Sequence, residues 1–199
     1  MNLSAVILAG GKSARMGRDK ARLEIGGRPL MARQIQLARE TGAGEIFISG
    51  RAGADYAEFK CPVLYDRFGD AGPLAGIERV LAETSSAKVL VLAVDMPNLT
   101  PVILKQLIGR ARERMGVIPR IEGRMEPLAA VYSKSARNLA VSLLDDGIYA
   151  VKTFAERCVQ NGLAEFFDFD AGATHQFANW NLPSDASSAL SEKAIVTAG

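Results

Sequence analysis

The chain has 199 residues, of which 48% are hydrophobic and 23% charged, and a formal net charge of +2. These values are ordinary for a soluble globular domain with a substantial core. The net charge is too small to imply nucleic-acid binding by itself, and the longest apolar run, Val89 to Val94, is far too short to span a membrane.

The first predicted element is a buried strand over Ser4 to Ala9, running straight into Gly10-Gly11 and a loop crowded with cations. Lys12, Arg15, Arg18, Lys20 and Arg22 are positive, and only Asp19 opposes them before Glu24. Glycines let a backbone approach a ligand and offer it N–H groups, while Arg and Lys supply charge-assisted bonds to phosphate oxygens. The loop therefore predicts a polyphosphate site. It is not a P-loop, because Val6 stands where that motif needs a glycine. Nor does it carry Gly-x-Gly-x-x-Gly, since Gly10 is followed directly by Gly11 and next by Gly17.

Farther along, Arg28 to Thr41 reads as a helix with Pro29 in its first turn and Gly42 at its end. Glu45 to Ser49 and Pro62 to Tyr65 read as short strands, the second stopping at Asp66. Pro73 to Glu83 is helical, entered through Gly72, with Gly76 in its first turns. Lys88 to Val94 has the continuous apolar character of a strand covered on both faces. Thr100 is expected to cap a helix that starts at Pro101. This alternation predicts an α/β fold with a doubly wound, mostly parallel, Rossmann-like sheet.

The second half is less regular. Val117 to Ile121 and Leu128 to Tyr132 read as strands around a Glu122-Gly123-Arg124 turn. Ala136 to Leu144 and Val151 to Gln160 read as helices, and Glu165 to Asp170 as a strand. A loop after Phe177 leads to a short helix near Ser184 to Leu190. Without a linker, residues 1–199 are expected to form a single domain, with a nucleotide-binding half at 1–115, an acceptor-binding half at 116–190 and a tail at 191–199.

Asp95 follows Val-Leu-Ala-Val at the end of the clearest strand, where open α/β sheets place their ligand crevice. A carboxylate there needs a partner, and Mg²⁺ fits, since it favours one or two carboxylates plus substrate phosphates. Asn179 and Asn181, separated by one residue, point the same way on an extended chain and are candidates for holding the acceptor or supporting the metal site. His175, the only histidine, has no plausible nucleophile beside it, so a catalytic triad is not expected. Cys61 and Cys158 lack metal or disulfide spacing and read as free thiols in a reducing cytosol. No secretory signal is expected either, which agrees with a cytoplasmic chain.

The segment Leu-Ala-Gly-Gly-x-Ser-x-Arg-Met-Gly-x-Asp-Lys, Leu8 to Lys20, resembles the signature of molybdenum cofactor guanylyltransferases, within the nucleotidyltransferase superfamily. Asp95-Met96-Pro97 is similar to the family's metal-binding Asp-x-Pro, and Asn179-Trp180-Asn181 to its late Asn-x-Asn element, with Leu182 in place of the usual threonine. The resemblance implies GMP transfer from GTP to molybdenum-bound molybdopterin, with cytidylyl transfer to a phosphorylated acceptor as the alternative and a non-catalytic GTP-binding partner protein as a remoter one. It implies nucleotide binding by Leu8, Ala9, Gly10, Gly11, Lys20, Asp66, Gly72, Gly76 and Asp95, catalysis by Arg15, Lys20 and Asp95, and Mg²⁺ on Asp95. Asp70 competes with Asp66 for its role. Glu126, in Glu126-Pro127-Leu128, falls where relatives carry a polar-Pro segment on the acceptor side, and Arg120, Arg124 and Lys152 are candidate acceptor-phosphate contacts. Molybdoenzyme maturation partners are also implied; nucleic acid and membrane are not.

Overall fold

The strand β1 (Leu3–Leu8) is buried at every position, and its alternate residues face two different helix layers. Leu3, Ala5 and Ile7 pack with one apolar cluster, Val6 and Leu8 with the other. A strand covered on both faces is apolar over most of its length, which is why this segment shows no polar alternation, and its one polar residue, Ser4, is buried and hydrogen-bonded to Thr84 and Ser86. The computed structural model describes residues 3–9, 19–50, 53–69 and 71–180.

Beyond β1, the described chain contributes β2 (Glu24–Ile25), β3 (Arg28–Pro29), α1 (Leu30–Glu40), β4 (Glu45–Gly50), β5 (Val63–Tyr65), α2 (Pro73–Glu83), β6 (Lys88–Ala93) and α3 (Pro101–Arg110). It continues with β7 (Gly116–Ile121), β8 (Arg124–Met125), β9 (Ala129–Ser133), α4 (Arg137–Asp145), α5 (Val151–Gln160) and β10 (Ala164–Phe169). The main sheet runs β10-β7-β9-β6-β1-β4-β5, with β8 paired to β7. Every pair between β6 and β5 is parallel, as is β10 with β7, while β9 lies antiparallel to both its neighbours. Helices α1 and α3 cover one face and α2, α4 and α5 the other, which is the doubly wound, mostly parallel architecture the alternation predicts.

The chain leaves β1 toward β4 and β5 on one side and returns to β6 on the other. The carboxyl ends of β1 and β6, in register at Leu8 and Ala93, thus flank the point where strand order reverses. Open α/β sheets bind their ligands in the crevice outside that point.

Several local expectations change. Arg28 and Pro29 belong to a small hairpin with Glu24 and Ile25, turned by Gly26 and Gly27 at φ 58° and 73°. The helix therefore starts at Leu30, with Pro29 just before it rather than in its first turn. Two positive-φ residues are what a tight hairpin turn demands, and two-residue strands are too short to show a period. Thr100 flanks α3 but makes no capping bond; its hydroxyl donates to Gln176 Oε1 at 2.8 Å. Glu122 and Gly123, at φ 49° and 77°, turn β7 into the two-residue β8 rather than directly into β9. The helix expected near Ser184 to Leu190 lies outside the described residues.

Candidate active site

Chain geometry at the end of β1 is fixed from both sides. Ala9 N donates to Ser49 O of β4 at 3.0 Å, and Val94 N donates to Leu8 O at 3.2 Å. The N–H of Ala9 is thus taken by the sheet. Gly10, Gly11 and Arg15 lie outside the described residues, so their roles rest on the sequence.

Asp19 opens a short 3-10 turn over Lys20–Arg22. Both carboxylate oxygens of Asp19 are occupied: Oδ1 accepts from Ala21 N at 3.0 Å, and Oδ2 accepts from Tyr56 Oη at 3.0 Å. Ala21 is fully buried, and Arg22 donates to the Asp55 carbonyl at 2.7 Å. This anchoring presents Lys20 toward the sheet. Its Nζ lies 2.8 Å from Asp95 Oδ2, with the two side chains only 22% and 21% exposed.

Asp95 sits two residues beyond β6, in a turn fixed from below by α1. Gln34, 1% exposed, donates from Nε2 to the Met96 carbonyl at 2.7 Å. The late segment also arrives here. Trp180 N donates to the Asp95 carbonyl at 2.8 Å, and the Trp180 carbonyl is 3.5 Å from Lys20 Nζ. Three stretches far apart in sequence therefore meet at one charged pair. Neither Gln34 nor the Trp180 backbone was among the expected site residues; main-chain bonds carry no residue signature, and a helical glutamine signals nothing by itself.

Asn179 is exposed beside Trp180, and Asn181 lies outside the described residues. Asp66 stands immediately after β5, on the far flank of the crevice; part of its surface meets solvent, yet the surrounding protein pushes its pKa up to about 6. Asp70 is not among the described residues. Gly72 takes φ 69° ahead of α2, a conformation that favours glycine. Gly76 is buried, and a Cβ there would come within 2.3 Å of Ser49 Oγ and 3.1 Å of Leu8 Cδ2. Its lack of a side chain serves the close approach of α2 to β1 and β4.

Other candidates are placed elsewhere. Arg120 forms a bidentate pair with Asp168, at 2.6 and 2.8 Å, which raises the Arg120 pKa and lowers that of Asp168. His175 Nδ1 contacts the Gly172 carbonyl of its own turn at 3.0 Å. Cys61 and Cys158 are free thiols; burial raises both, Cys158 to about 12.

Among the described residues no group of three or more His, Cys, Asp or Glu side chains is arranged to hold a metal. The donor set at Asp95 is a single carboxylate just beyond a strand end, with Oδ2 on Lys20. That set suits Mg²⁺, which keeps several waters and completes its shell with substrate phosphates, better than a cation needing an all-protein cage.

The MobA-like NTP transferase domain model matches residues 5–159. A protein of Opitutus terrae named "Probable molybdenum cofactor guanylyltransferase" is 35% identical over 186 residues, covering 92% of each chain. The molybdenum cofactor guanylyltransferase of Xanthomonas euvesicatoria pv. vesicatoria is 33% identical over 191 residues, covering 95% of each. Among solved structures, molybdopterin-guanine dinucleotide biosynthesis protein A of Archaeoglobus fulgidus has the same fold, with a TM-score of 0.71 at 21% identity over 94% of this chain and 96% of that one.

Proposed function

The chain belongs to the MobA-like NTP transferases, a family of nucleotidyltransferases, and from that premise we propose that it transfers GMP from GTP to the terminal phosphate of molybdenum-bound molybdopterin. The single observation that carries this reading is the Lys20–Asp95 pair at the reversal point of the sheet, tied at 2.8 Å to the late Trp180 segment. It adds a cation and a carboxylate able to bind a metal to the crevice where the family signature places its nucleotide.

An acceptor phosphate oxygen attacks the α-phosphorus of GTP. One P–O bond forms, the bond to the β-phosphate oxygen breaks, and pyrophosphate leaves with the electron pair. The acceptor is already ionised at neutral pH, so the protein's task is positioning and charge neutralisation rather than base catalysis. Lys20 supplies a cation to the triphosphate from its anchored turn, and the sequence signature assigns Arg15 and the N–H groups of Gly10 and Gly11 to the same phosphates. Asp66 and Gly72 face the nucleoside end. Asn179, next to the Trp180 whose N–H meets the Asp95 carbonyl, and Asn181 are assigned to holding the acceptor or supporting the metal site. Asp95 would hold Mg²⁺, which when bound neutralises charge developing on the leaving pyrophosphate.

Among the described residues no helix is long and apolar enough to cross a membrane. Two free thiols support a cytoplasmic setting. The test is incubation of the purified chain with Mg²⁺, molybdenum-loaded molybdopterin and either GTP or CTP. Pyrophosphate and a guanylated cofactor are expected with GTP; release with CTP alone overturns the base assignment.

A further inference from the structure

Glu126 has no task in the reading above, yet its surroundings are those of a built site. It occupies the link between β8 and β9, and its backbone is held on both sides. Glu126 N donates to Pro119 O at 3.0 Å, and its carbonyl accepts from Ala129 N at 3.1 Å. The next residue is fixed as well: the buried Tyr132 donates its hydroxyl to the Pro127 carbonyl at 3.0 Å.

Register places this link beside the active centre. β9 runs antiparallel to β6 with Leu92 opposite Ala129, and Ala93 N donates to Leu128 O at 2.8 Å. Asp95 therefore leaves the sheet edge on β6, and Glu126 stands at the same edge on the neighbouring β9. Asp66 holds the corresponding position after β5, on the other side of β1. From β5 to β9 is four strand spacings, or about 19 Å at the usual separation. Two carboxylates thus flank the Lys20–Asp95 pair across a span suited to an extended, pyrophosphate-linked dinucleotide.

Among the described residues, the Glu126 carboxylate makes no hydrogen bond or ion pair. Burial raises its pKa, and the charge of Lys152 opposes that rise. A half-buried carboxylate without donors is costly, and a ligand that brings N–H groups relieves the cost.

We infer that Glu126 determines acceptor specificity, its two carboxylate oxygens accepting the ring N–H and the exocyclic amine of a pterin. This rests on the acceptor proposed above. A pterin presents those two donors side by side on one edge, which matches the paired oxygens of one carboxylate. A phosphate or a sugar offers no such edge, and a phosphate is repelled by the charge. The phosphate end of the acceptor then points back toward Lys20 and Asp95, where the reaction occurs. Glu126 touches the ring and takes no part in bond making.

The experiment uses the full chain with Mg²⁺ and GTP and follows pyrophosphate release. For Glu126→Gln, the KM for molybdopterin rises roughly 10- to 100-fold, the worth of one bidentate pair, while the KM for GTP stays at its wild-type value. Pterin inhibits wild-type turnover more strongly than lumazine, in which a carbonyl replaces the exocyclic amine, and Glu126→Gln removes that preference. A wild-type KM in the variant, or equal inhibition of wild type by the two pteridines, overturns the assignment to Glu126 alone. No turnover of molybdopterin by the wild-type chain overturns the proposed acceptor, and this inference with it.

Discussion

Lys20 Nζ lies 2.8 Å from Asp95 Oδ2 across 75 residues of sequence, in a pair where each side chain is about one-fifth exposed. The ammonium occupies the carboxylate to which the proposed mechanism assigns the metal. Under that proposal, lysine and a divalent cation compete for Asp95 until a triphosphate takes up the lysine. Lys20→Ala separates the two effects. Metal affinity without nucleotide rises, because Asp95 loses its competing charge. Turnover falls by on the order of 10²-fold, the cost of one oriented charge-stabilising donor. Calorimetry with Mg²⁺ alone and a pyrophosphate-release assay read the two signs; wild-type turnover removes Lys20 from the reaction.

Asp95→Asn keeps the shape of the turn and its main-chain bond from Trp180 while removing the charge. Lys20 then faces an amide in place of the carboxylate, and the amide is a poorer ligand than a carboxylate for a hard cation. GTP binding by this variant becomes insensitive to Mg²⁺. Titration of GTP with and without the metal checks it, and an unchanged Mg²⁺ dependence places the metal elsewhere.

Gly76→Ala tests what the glycine is for. Alanine favours a helix interior by about 1 kcal/mol, so propensity alone predicts stabilisation. The added Cβ, however, meets Ser49 Oγ at 2.3 Å and Leu8 Cδ2 at 3.1 Å. Overpacking of this kind costs about 1–3 kcal/mol, which outweighs the gain. The urea midpoint falls, while GTP affinity of the folded variant stays close to wild type. A stable variant with weakened GTP binding restores the glycine to the ligand surface.

Much of the fold was legible because the central strands β1 and β6 are covered on both faces and read as largely apolar runs, each followed by helical periodicity. The hairpin of β2 and β3 was not legible: strands of two residues have no period, and Arg28-Pro29 also suits a helix entrance. Thr100 illustrates a different limit. Its type and position suit a cap, but Gln176, distant in sequence, offers its hydroxyl a side-chain acceptor. In the site, Lys20, Asp66 and Asp95 were legible as charged residues at predicted strand ends or in the cationic loop. Their mutual arrangement was not, since a 75-residue separation carries no distance. The Trp180 and Met96 contacts use main-chain atoms, which every residue possesses.

Asp66 supplies a pH signature. Its folded pKa is raised from 3.8 to about 6 by burial. An acid raised in the folded state contributes stability that is fully present below its unfolded pKa and is lost as pH rises through the folded one. Asp66→Asn removes that loss, so the variant gains stability over wild type above pH 6 and none below pH 3.8. GTP affinity shows the matching change if the ionised carboxylate accepts bonds from the nucleoside: in wild type it weakens as pH falls through 6, and in Asp66→Asn it stays flat. Urea unfolding and GTP titration across pH 4 to 8 check both, and a pH-independent wild type removes Asp66 from the nucleotide.

Arg137 and Glu78 join α4 to α2, with Arg137 Nε 3.1 Å from Glu78 Oε1. The pair is lopsided: the Glu78 side chain is 2% exposed and that of Arg137 is 39% exposed. Glu78 Oε2 is buried without a hydrogen-bond partner. Removing the arginine leaves a buried carboxylate with nothing to compensate it, a change that typically costs about 3–5 kcal/mol. Removing the glutamate instead leaves a guanidinium that already reaches water, and it eliminates the unpaired oxygen. Arg137→Met is therefore the more damaging substitution, although it deletes the more exposed residue, and Glu78→Met lies close to wild type. Urea midpoints at constant m-value rank the two variants. The reverse order means that the pair contributes through the packing of the Glu78 stem rather than through its charge.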